Sequence, residues 1–423
     1  MRELPKKVSG RLWAQWLAVA VIVFAAATVA AAPNPKNPAK GQPAAKAAPA
    51  APKSTDSNFQ TLAPYAILIE AETGLVLFEK SADQLIAPAS LSKLMTAEFV
   101  FNEIKQGRLK TTDEFFVSVN AWRKGGAPSR TSSMFAAVQS RVSVDDLLQG
   151  VIIQSGNDAC IVLAEGLAGT EEQFAEKLTS RARELGLTKA TFGNSNGLPH
   201  PNHLMTVREL GLLARHIIET YPEFYRIYGE TEFTYNKIRQ MNRNPLLAMN
   251  IGADGMKTGF TREAGYGIVG SAQQKGLRLI VVLNGLKTEK ERADEAKRIL
   301  EWGFNSFQTN FLFAEGAQVG EAKIYGGEKR YVPLMLPRAI KLLVPKNSRE
   351  RIIARVTYSG PVPAPVQKGQ AIGRLKIWRG DAIVLEVPVQ AAEDVEQGPL
   401  HRRAWDAASE LVIGVIRAGM PKL

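Results

Sequence analysis

The sequence predicts an α/β domain built on one antiparallel sheet with a cluster of helices, followed by a small all-β domain. Three observations support this prediction. An apolar strand pair surrounds Glu72-Thr73-Gly74, helical periodicity dominates as far as about Thr220, and the strand-like runs YGIVGSA and LRLIVVLNG follow. Helices bracketed by early and late strands favour a sandwich built on a single antiparallel sheet.

The N-terminal segment predicts export. Basic residues at positions 2, 6, 7 and 11 precede the apolar run WLAVAVIVFAAATVAAA, and the alanines at 30–32 fit a cleavage site. We therefore expect a signal peptide over residues 1–32, with retention as an uncleaved anchor as the alternative. Residues 33–61 are rich in Pro, Ala and Lys, which is typical of an extended linker, so folded structure should begin near Leu62.

Residues 62–306 carry the α/β pattern. The stretch AILIEAETGLVLFEK predicts a strand hairpin, and apolar positions over residues 91–99 and in VDDLLQGVII recur at helical spacing. YGIVGSA and LRLIVVLNG predict two strands separated by a Gln/Lys/Gly turn. A helix is then expected from about Glu289 to Phe304.

The remaining chain predicts two further parts. Residues 307–395 contain short alternating segments such as RIIARVTYSG and AIVLEVPVQA between Gly/Pro turns, which predicts an all-β domain. Residues 396–423 form an amphipathic helix pattern with cationic ends, typical of a helix lying on a membrane surface and too short and charged to span a bilayer. A helix docked on the β domain is the alternative.

Composition narrows the function classes. The net charge of +12 would suit nucleic acid, a membrane surface or an acidic polymer, but export and the lack of interleaved aromatics argue against nucleic acid. Because Cys160 is the single cysteine, a disulfide framework is excluded, and its apolar helical surroundings predict a small buried hydrophobic side chain. His200 and His203 lie in the turn HPNH without a third ligand nearby, so no metal and no cofactor is expected.

The stretch PASLSKLMT spaces Ser90 and Lys93 on one face of a helix. The structural interpretation is a helix start at Pro88 with Ser90 in its first turn and a solvated Lys93. The chemical interpretation is a hydroxyl beside an amine that can act as a base, which requires burial or a second cation near Lys93 to lower the pKa of that amine.

Two later segments contain the second cation and further polar side chains that the chemical interpretation of Ser90 and Lys93 requires. In ADGMKTGFT, Lys257-Thr258-Gly259 brings a second cation and a glycine that lets a substrate backbone approach; a surface turn is the alternative. In IIQSGNDA, Ser155 and Asn157 lie in a loop between helical runs, where a helix N-cap at Asn157 is the alternative. S-x-x-K, S-x-N and K-T-G in this order form the signature of penicillin-binding proteins and serine β-lactamases.

From about Ala63 to Val395 the sequence resembles the low-molecular-mass penicillin-binding proteins that act as D-alanyl-D-alanine carboxypeptidases. The likeness includes VDDLLQGVIIQSGNDAC, FGNSNGLPHPNHLMTVREL, GADGMKTGFTREAGYGIVGSA and EWGFNSF. It implies a penicillin-recognising, transpeptidase-like domain, a β-rich domain and a C-terminal helix on the outer face of the inner membrane. The implied partners are the peptidoglycan stem peptide, β-lactam antibiotics and that membrane surface; the sequence indicates no oligomeric state.

The resemblance also implies roles for the motif residues. Ser90 looks like the nucleophile that attacks the carbonyl of the penultimate D-alanine and forms an acyl-enzyme. Lys93 would accept its proton as a neutral amine, because the positive charge of Lys257 disfavours a second one nearby. Ser155 resembles the residue that relays a proton to the leaving amine, and Asn157 the one that holds the acyl side of the substrate.

The substrate carboxylate and the oxyanion are assigned by the same resemblance. Lys257 would attract the terminal carboxylate and Thr258 would bind it, with Gly259 beside the substrate backbone. The backbone N–H groups of Ser90 and Phe260 would form the oxyanion hole. Phe260 departs from relatives that carry histidine at this position, which leaves the backbone donor but removes that side chain.

Two arginines complete the set of implied binding residues. Arg243 in MNRNPLL and Arg292 in TEKERADEA match basic positions near the carboxylate pocket of family members, whereas the general expectation for such arginines is a solvated or surface-paired side chain.

Three other functions remain open from sequence. A D,D-endopeptidase would cleave cross-bridges at the same kind of bond. A serine β-lactamase would share Ser90 and Lys93, but no E-x-x-L-N-like segment lies between Ser155 and Lys257 to activate water as in class A enzymes. A catalytically silent scaffold that binds the cell wall is disfavoured by the intact Ser90, Lys93, Ser155 and Lys257.

Overall fold

The computed structural model describes residues 59–346 and 350–419. The predicted signal peptide, residues 1–32, and all but the end of the predicted linker, residues 33–61, lie outside the described residues. The first domain contains, in chain order, β1 (Tyr65–Glu70), β2 (Val76–Lys80), α1 (Lys93–Lys105), β3 (Glu114–Phe116), α2 (Val119–Gly125), β4 (Arg141–Ser143), α3 (Val144–Gln149), α4 (Asn157–Ala168), α5 (Glu171–Glu184), α6 (Val207–Thr220), α7 (Pro222–Tyr225), β5 (Glu232–Tyr235), β6 (Ile238–Met241), β7 (Ala253–Thr261), β8 (Gly265–Gln274), β9 (Leu277–Leu286) and α8 (Glu289–Ser306).

One five-stranded antiparallel sheet organises this domain, in the order β2-β1-β9-β8-β7. The hairpin from the start of the domain thus pairs with strands from its end, as the sequence predicts. Because β7 comes last in this order, one of its edges has no strand partner among the described segments. That open edge belongs to the strand that carries Lys257-Thr258-Gly259.

Helices cover both faces of the sheet. On β1, Ile67 and Ile69 pack into one apolar cluster that includes the buried faces of α1, α4, α5 and α6. Ala66 and Leu68, pointing the other way, join a second cluster with the buried face of α8. This alternation follows from the two-residue period of a strand and explains why β1 is apolar on both sides. The α/β sandwich predicted from sequence is therefore confirmed.

Residues that precede the predicted start of the domain near Leu62 contact its last helix. Phe59 stacks against Trp302 of α8 with ring centroids 4.8 Å apart, and the Thr61 hydroxyl donates to Glu295 over 2.6 Å. The sequence did not indicate these contacts, because a single aromatic at the end of a polar linker gives no periodic signal. These contacts fasten the entry of the chain onto α8.

The second domain consists of strands, as predicted. These are β10 (Phe307–Phe313), β11 (Gln318–Tyr325), β12 (Tyr331–Met335), β13 (Ile340–Pro345), β14 (Ile352–Tyr358), β15 (Val362–Pro363), β16 (Ala371–Arg379) and β17 (Ala382–Ala391). β10 pairs with β13, and the others follow the order β14-β16-β17-β12-β11-β15. They enclose an apolar cluster of their own, which includes Val332, Leu334, Ile377 and Val389.

A final helix, α9 (Leu400–Gly419), follows the β domain. Asp406 accepts the backbone N–H of Gly326 over 2.8 Å, and Arg402 donates to the carbonyl of Glu328, so polar side chains hold the first turns on the β domain. Leu400 and Trp405 face solvent, with 80% and 72% of their surface exposed. Among the described helices, none is long and apolar enough to cross a bilayer.

Candidate active site

Ser90 lies in a 3₁₀ turn, Ala89–Ser92, that runs directly into α1, so Lys93 is the first residue of the α-helix. The three-residue spacing brings the two side chains together, with Lys93 Nζ 2.8 Å from Ser90 Oγ. A second segment supports this turn: a Cβ added at Gly197 would lie only 2.0 Å from the carbonyl oxygen of Ala89. Glycine at 197, with a positive φ of 80°, is therefore required for this close approach.

The amine of Lys93 is buried, with 1% of the residue exposed, and donates to three acceptors. Besides Ser90, these are Asn157 Oδ1 at 2.8 Å and the backbone carbonyl of Asn196 at 2.6 Å. Burial is the main reason that the pKa of Lys93 falls to about 8, and the positive charge of Arg243 lowers it further. A solvated lysine, the structural alternative, is excluded by this burial.

The loop with Ser155 and Asn157 follows a π-helical turn, Gly150–Gln154. Ser155 has a left-handed backbone with φ of 64°, and Gly156, not Asn157, caps α4. The alternative of an N-cap at Asn157 is therefore wrong. Asn157 instead joins two neighbours: Oδ1 accepts from Lys93, and Nδ2 donates to Thr131 Oγ1 over 2.9 Å.

Asp158 fixes the loop that faces this helix start. Its carboxylate accepts the backbone N–H groups of Met134 and Ala136 at 2.9 and 3.1 Å and the Ser133 hydroxyl at 2.7 Å. Because the carboxylate is fully buried and its acceptor positions are used, the position of α4 relative to residues 131–136 is tightly specified.

Lys257, Thr258 and Gly259 lie on β7, which packs against the Ser90 turn. A Cβ at Gly259 would lie 3.0 Å from Leu91 Cγ and 3.2 Å from the carbonyl oxygen of Pro88. The glycine therefore allows β7 to approach the segment that carries Ser90 more closely than a residue with a side chain would permit.

Lys257 is also buried, and its Nζ donates to the carbonyl of Thr258 over 3.0 Å. Burial lowers the pKa of Lys257 well below its ordinary value, and the charges of Lys93, Arg243 and Arg292 act in the same direction. Because the charge of Lys93 is among the groups that lower the pKa of Lys257, a state in which both amines are protonated is disfavoured.

Ser90, Ser155 and Thr258 open into one cavity of about 780 Å³, together with Gly259 and Phe260. Arg243, Lys290 and Arg292 lie on its wall, where Glu289 is the acidic member. The wall of the cavity therefore carries more positive than negative charge. A small anionic group fits this charge distribution.

An aromatic pair borders the cationic wall. Phe260 stacks on Tyr266 with ring centroids 4.1 Å apart, and the guanidinium of Arg292 lies 5.7 Å from the Tyr266 ring. Arg292 is 94% buried, its Nε lacks a hydrogen-bond partner in the described structure, and burial lowers the pKa of this guanidinium. Tyr266 thus holds a desolvated cation in the cavity wall.

The predicted site residues come together with one difference. Ser90, Ser155, Thr258, Gly259, Phe260, Arg243 and Arg292 line the cavity, and Lys93, Asn157 and Lys257 lie directly behind it. Ser155, however, is not among the described hydrogen-bond partners of Lys93, so the relay expected from sequence is not preformed as a direct contact.

Sequence reasoning missed Asn196 and Tyr266. Asn196 contributes a backbone carbonyl, and a backbone group leaves no residue signature. Tyr266 acts through its register opposite Phe260 across β7 and β8, which only the pairing of the strands reveals. Among the described residues, no group of three or more His, Cys, Asp or Glu side chains is arranged to hold a metal ion.

Comparison with known families agrees with this geometry. A D-alanyl-D-alanine carboxypeptidase family model matches residues 50–288, and a model of the C-terminal domain of penicillin-binding protein 5 matches residues 307–397. The chain belongs to the D-alanyl-D-alanine carboxypeptidase family.

Individual relatives cover most of the chain. The D-alanyl-D-alanine carboxypeptidase DacC of Escherichia coli (strain K12) is 40% identical over 80% of this chain and 86% of its own length. Penicillin-binding protein 5 from Haemophilus influenzae has a similar structure, with a TM-score of 0.73 and 36% identity over 81% of this chain and all of that one. Penicillin-binding protein D2 from Listeria monocytogenes, solved in an ampicillin-bound form, matches with a TM-score of 0.53 and 31% identity over 59% of this chain and all of that one.

Proposed function

We propose that the protein is a serine-type D-alanyl-D-alanine carboxypeptidase, which removes the terminal D-alanine from peptidoglycan stem pentapeptides through an acyl-enzyme on Ser90. The observation that carries this proposal is the 2.8 Å contact between Ser90 Oγ and the buried Lys93 amine, at the mouth of a cationic cavity. Family membership and the names of the relatives support the same activity.

Acylation begins with transfer of the Ser90 proton to Lys93. A pKa of about 8 leaves a fraction of Lys93 unprotonated near neutral pH, so the amine can act as a general base. Ser90 Oγ then attacks the carbonyl carbon of the penultimate D-alanine, forming a C–O bond. The C–N bond to the terminal D-alanine breaks when the tetrahedral intermediate collapses.

The substrate carboxylate binds at the cationic wall. Thr258 supplies a hydroxyl there, while Arg243 and Arg292 provide positive charge. A free C-terminal carboxylate is what distinguishes the substrate of a carboxypeptidase from an internal peptide bond. The excess of cations over acids on this wall favours the carboxypeptidase over an endopeptidase.

Proton delivery and oxyanion binding complete the step. Ser155 lines the cavity and passes a proton to the departing amine. Because Ser155 is not among the described hydrogen-bond partners of Lys93, the proton travels from Lys93 to Ser155 after the hydroxyl moves or through a water molecule. The backbone N–H groups of Ser90 and Phe260 donate to the oxyanion, and each such donor contributes on the order of 3 kcal/mol. Asn157 donates from Nδ2 to the acyl side of the substrate.

The same ester explains β-lactam binding. Attack of Ser90 on the lactam carbonyl opens the ring, but the leaving nitrogen stays attached to the acyl group and keeps occupying the cavity. The acid on the cavity wall, Glu289, lies 3.9 Å from Arg292 as its ion-pair partner, and we assign it no role in activating water for hydrolysis of the ester. We expect a long-lived penicilloyl enzyme and only weak β-lactamase activity.

The site of action is proposed from the two ends of the chain. The N-terminal segment directs export, and the protein acts in the periplasm, attached peripherally to the outer face of the inner membrane. α9 is the attachment element, because its first turns are held on the β domain by polar side chains while Leu400 and Trp405 are exposed.

The function is tested by measuring D-alanine release from a purified stem pentapeptide. The wild-type protein should release one D-alanine per peptide and leave a tetrapeptide, and Ser90→Ala should release none. Ser92→Ala, which alters a hydroxyl on the same turn whose partner is the Ala89 carbonyl, is the matched control and should retain turnover. Cleavage of cross-linked dimers without pentapeptide trimming would replace the proposal with an endopeptidase.

A further inference from the structure

Two glycines face each other across β7 and β8 where the Ser90 turn packs on the sheet. Gly259 of β7 pairs with Gly267 of β8. A Cβ added at Gly259 would lie 3.1 Å from the backbone nitrogen of Leu91, and one added at Gly267 would lie 3.1 Å from Leu91 Cδ1. The glycine pair therefore leaves a patch of sheet without side chains, on which Leu91, the residue after Ser90, packs.

The sheet is irregular at the same position. The pairing of β8 with β9 shifts by one residue there, so that Asn284 and Gly285 stand opposite Gly267 alone. Gly285 has a positive φ of 86°, which glycine adopts without strain. Two residues opposite one make a β-bulge, and a bulge changes the direction in which a side chain leaves the strand.

The bulge directs the Asn284 amide toward the segment that precedes Ser90. Asn284 is 2% exposed, and its Nδ2 donates to the backbone carbonyl of Ala87 over 3.3 Å. The Asn284 side chain passes over Gly267, where an added Cβ would lie only 2.6 Å from Asn284 Oδ1. A side chain at position 267 would therefore displace the amide from the Ala87 carbonyl.

The segment that accepts this hydrogen bond has a strained backbone. Ala89, directly before Ser90, has a φ of 50°, in the left-handed region that residues with a Cβ rarely adopt. Such a conformation persists only where the surrounding structure holds it. The bond from Asn284 to Ala87 holds the entry of the turn against the sheet, two residues before the strained one.

We propose that Asn284 is a positioning residue for acylation, which holds the Ala87 carbonyl across the glycine pair and so fixes the turn that presents the Ser90 hydroxyl and backbone N–H. Asn284 is not among the residues that line the active-site cavity, so it acts through the turn and not on the substrate. The inference rests on the proposed acyl-enzyme at Ser90 and adds a residue that sets the rate of its formation.

The test is stopped-flow acylation by a fluorescent penicillin, which separates the limiting acylation rate constant from the dissociation constant of the noncovalent complex. Asn284→Leu removes the donor at nearly constant size and leaves the Ala87 carbonyl unpaired. The limiting rate constant should fall about tenfold. The dissociation constant should stay unchanged, because the cationic wall of the cavity is untouched.

Gln274→Leu is the matched control. Gln274 lies at the other end of β8, and its Nε2 donates to the backbone carbonyl of Ile251 over 2.9 Å. The control therefore removes a side-chain amide that supports a backbone carbonyl on the same sheet, away from the Ser90 turn. It should acylate at the wild-type rate even if its melting temperature falls as far as that of Asn284→Leu.

A second variant tests the same contact from β8. The methyl group of Gly267→Ala displaces the Asn284 amide, so this variant alone should also slow acylation about tenfold. In an Asn284→Ala background the amide is absent, and adding Gly267→Ala should then cost a further factor of about two at most.

Three results would overturn the positioning role and leave the acyl-enzyme standing. These are a wild-type limiting rate in Asn284→Leu, an equal loss in Gln274→Leu, and losses from Gly267→Ala and Asn284→Ala that multiply in the double variant. Failure of the wild-type protein to be acylated would overturn the proposed function itself.

Discussion

The pH dependence of acylation follows from the environment of Lys93. Burial and the charge of Arg243 lower the pKa of this amine to about 8, from an ordinary value of 10.5. Only the unprotonated amine can accept the Ser90 proton. Acylation should therefore increase as pH rises through 8, because the neutral fraction grows, and should level off above it.

The size of the effect follows from the same pKa. The neutral fraction of Lys93 is about 1% at pH 6 and about 50% at pH 8, so the second-order rate constant for acylation should rise about 50-fold over this interval. From pH 8 to 9.5 it should gain only about twofold. The assay is stopped-flow acylation with a fluorescent penicillin, across buffers of matched ionic strength.

Two variants locate the titration at Lys93. Arg243→Gln removes a charge that lowers the pKa of Lys93, so the midpoint should move to higher pH. Lys105→Gln, at the opposite end of α1, should leave the midpoint at about 8. A rate constant that is flat between pH 6 and 8, or a midpoint near that of a free lysine, would refute the assignment of Lys93 as the base.

Three further changes have defined outcomes. Lys93→Met removes an amine whose pKa is lower in the folded than in the unfolded chain. The free-energy cost of burying the charged amine is present below pH 8 and disappears as pH rises to 10.5. The difference in unfolding free energy between the variant and the wild type, measured by urea unfolding, should therefore favour the variant by about 3 kcal/mol more at pH 7.5 than at pH 10.5. Gly259→Ala places a methyl group 3.0 Å from the Leu91 side chain and shifts the Ser90 turn, so penicillin acylation should slow by about 10- to 100-fold while the melting temperature changes little. Arg292→Gln should raise KM for a pentapeptide by about tenfold in a D-alanine release assay, because a buried cation at the carboxylate is lost.

Gly259→Ala and Arg292→Gln each have a control variant. Gly320→Ala on β11 adds a methyl group at an ordinary contact distance of 3.5 Å from Val356, and it should leave acylation unchanged. Lys297→Gln on α8, at a half-exposed side chain that pairs with Glu301 and does not line the cavity, should leave KM unchanged. A stability difference for Lys93→Met that is independent of pH, full-rate acylation by Gly259→Ala, or an unaltered KM for Arg292→Gln would each contradict the corresponding argument.

Much of the fold was predictable from periodicity. β8 and β9 are long, have apolar centres and are separated by a turn with glycine, and α8 has a clear apolar stripe, so all three were expected at the correct positions. The short strands β3 to β6 were missed, because three or four residues do not establish a period. Their pairing depends on tertiary contacts.

The residues of the site were predictable from sequence where their side chains lie at a fixed spacing within one helix. Ser90 and Lys93 are neighbours because of helical geometry, which sequence specifies directly. The third acceptor of Lys93 is the carbonyl of Asn196, and the support of Arg292 is the ring of Tyr266; both depend on how distant segments pack. Spacing along the chain carries no information about such contacts.

The covalent adduct on Ser90 tests the central claim most directly. Intact mass of the purified ectodomain after brief exposure to benzylpenicillin, beside Ser90→Ala, should show one penicilloyl group on the parent protein and none on the variant, with slow loss over time. An adduct that persists in Ser90→Ala, or none on either protein, would contradict acylation at Ser90. Rapid loss with consumption of the drug would instead identify a β-lactamase.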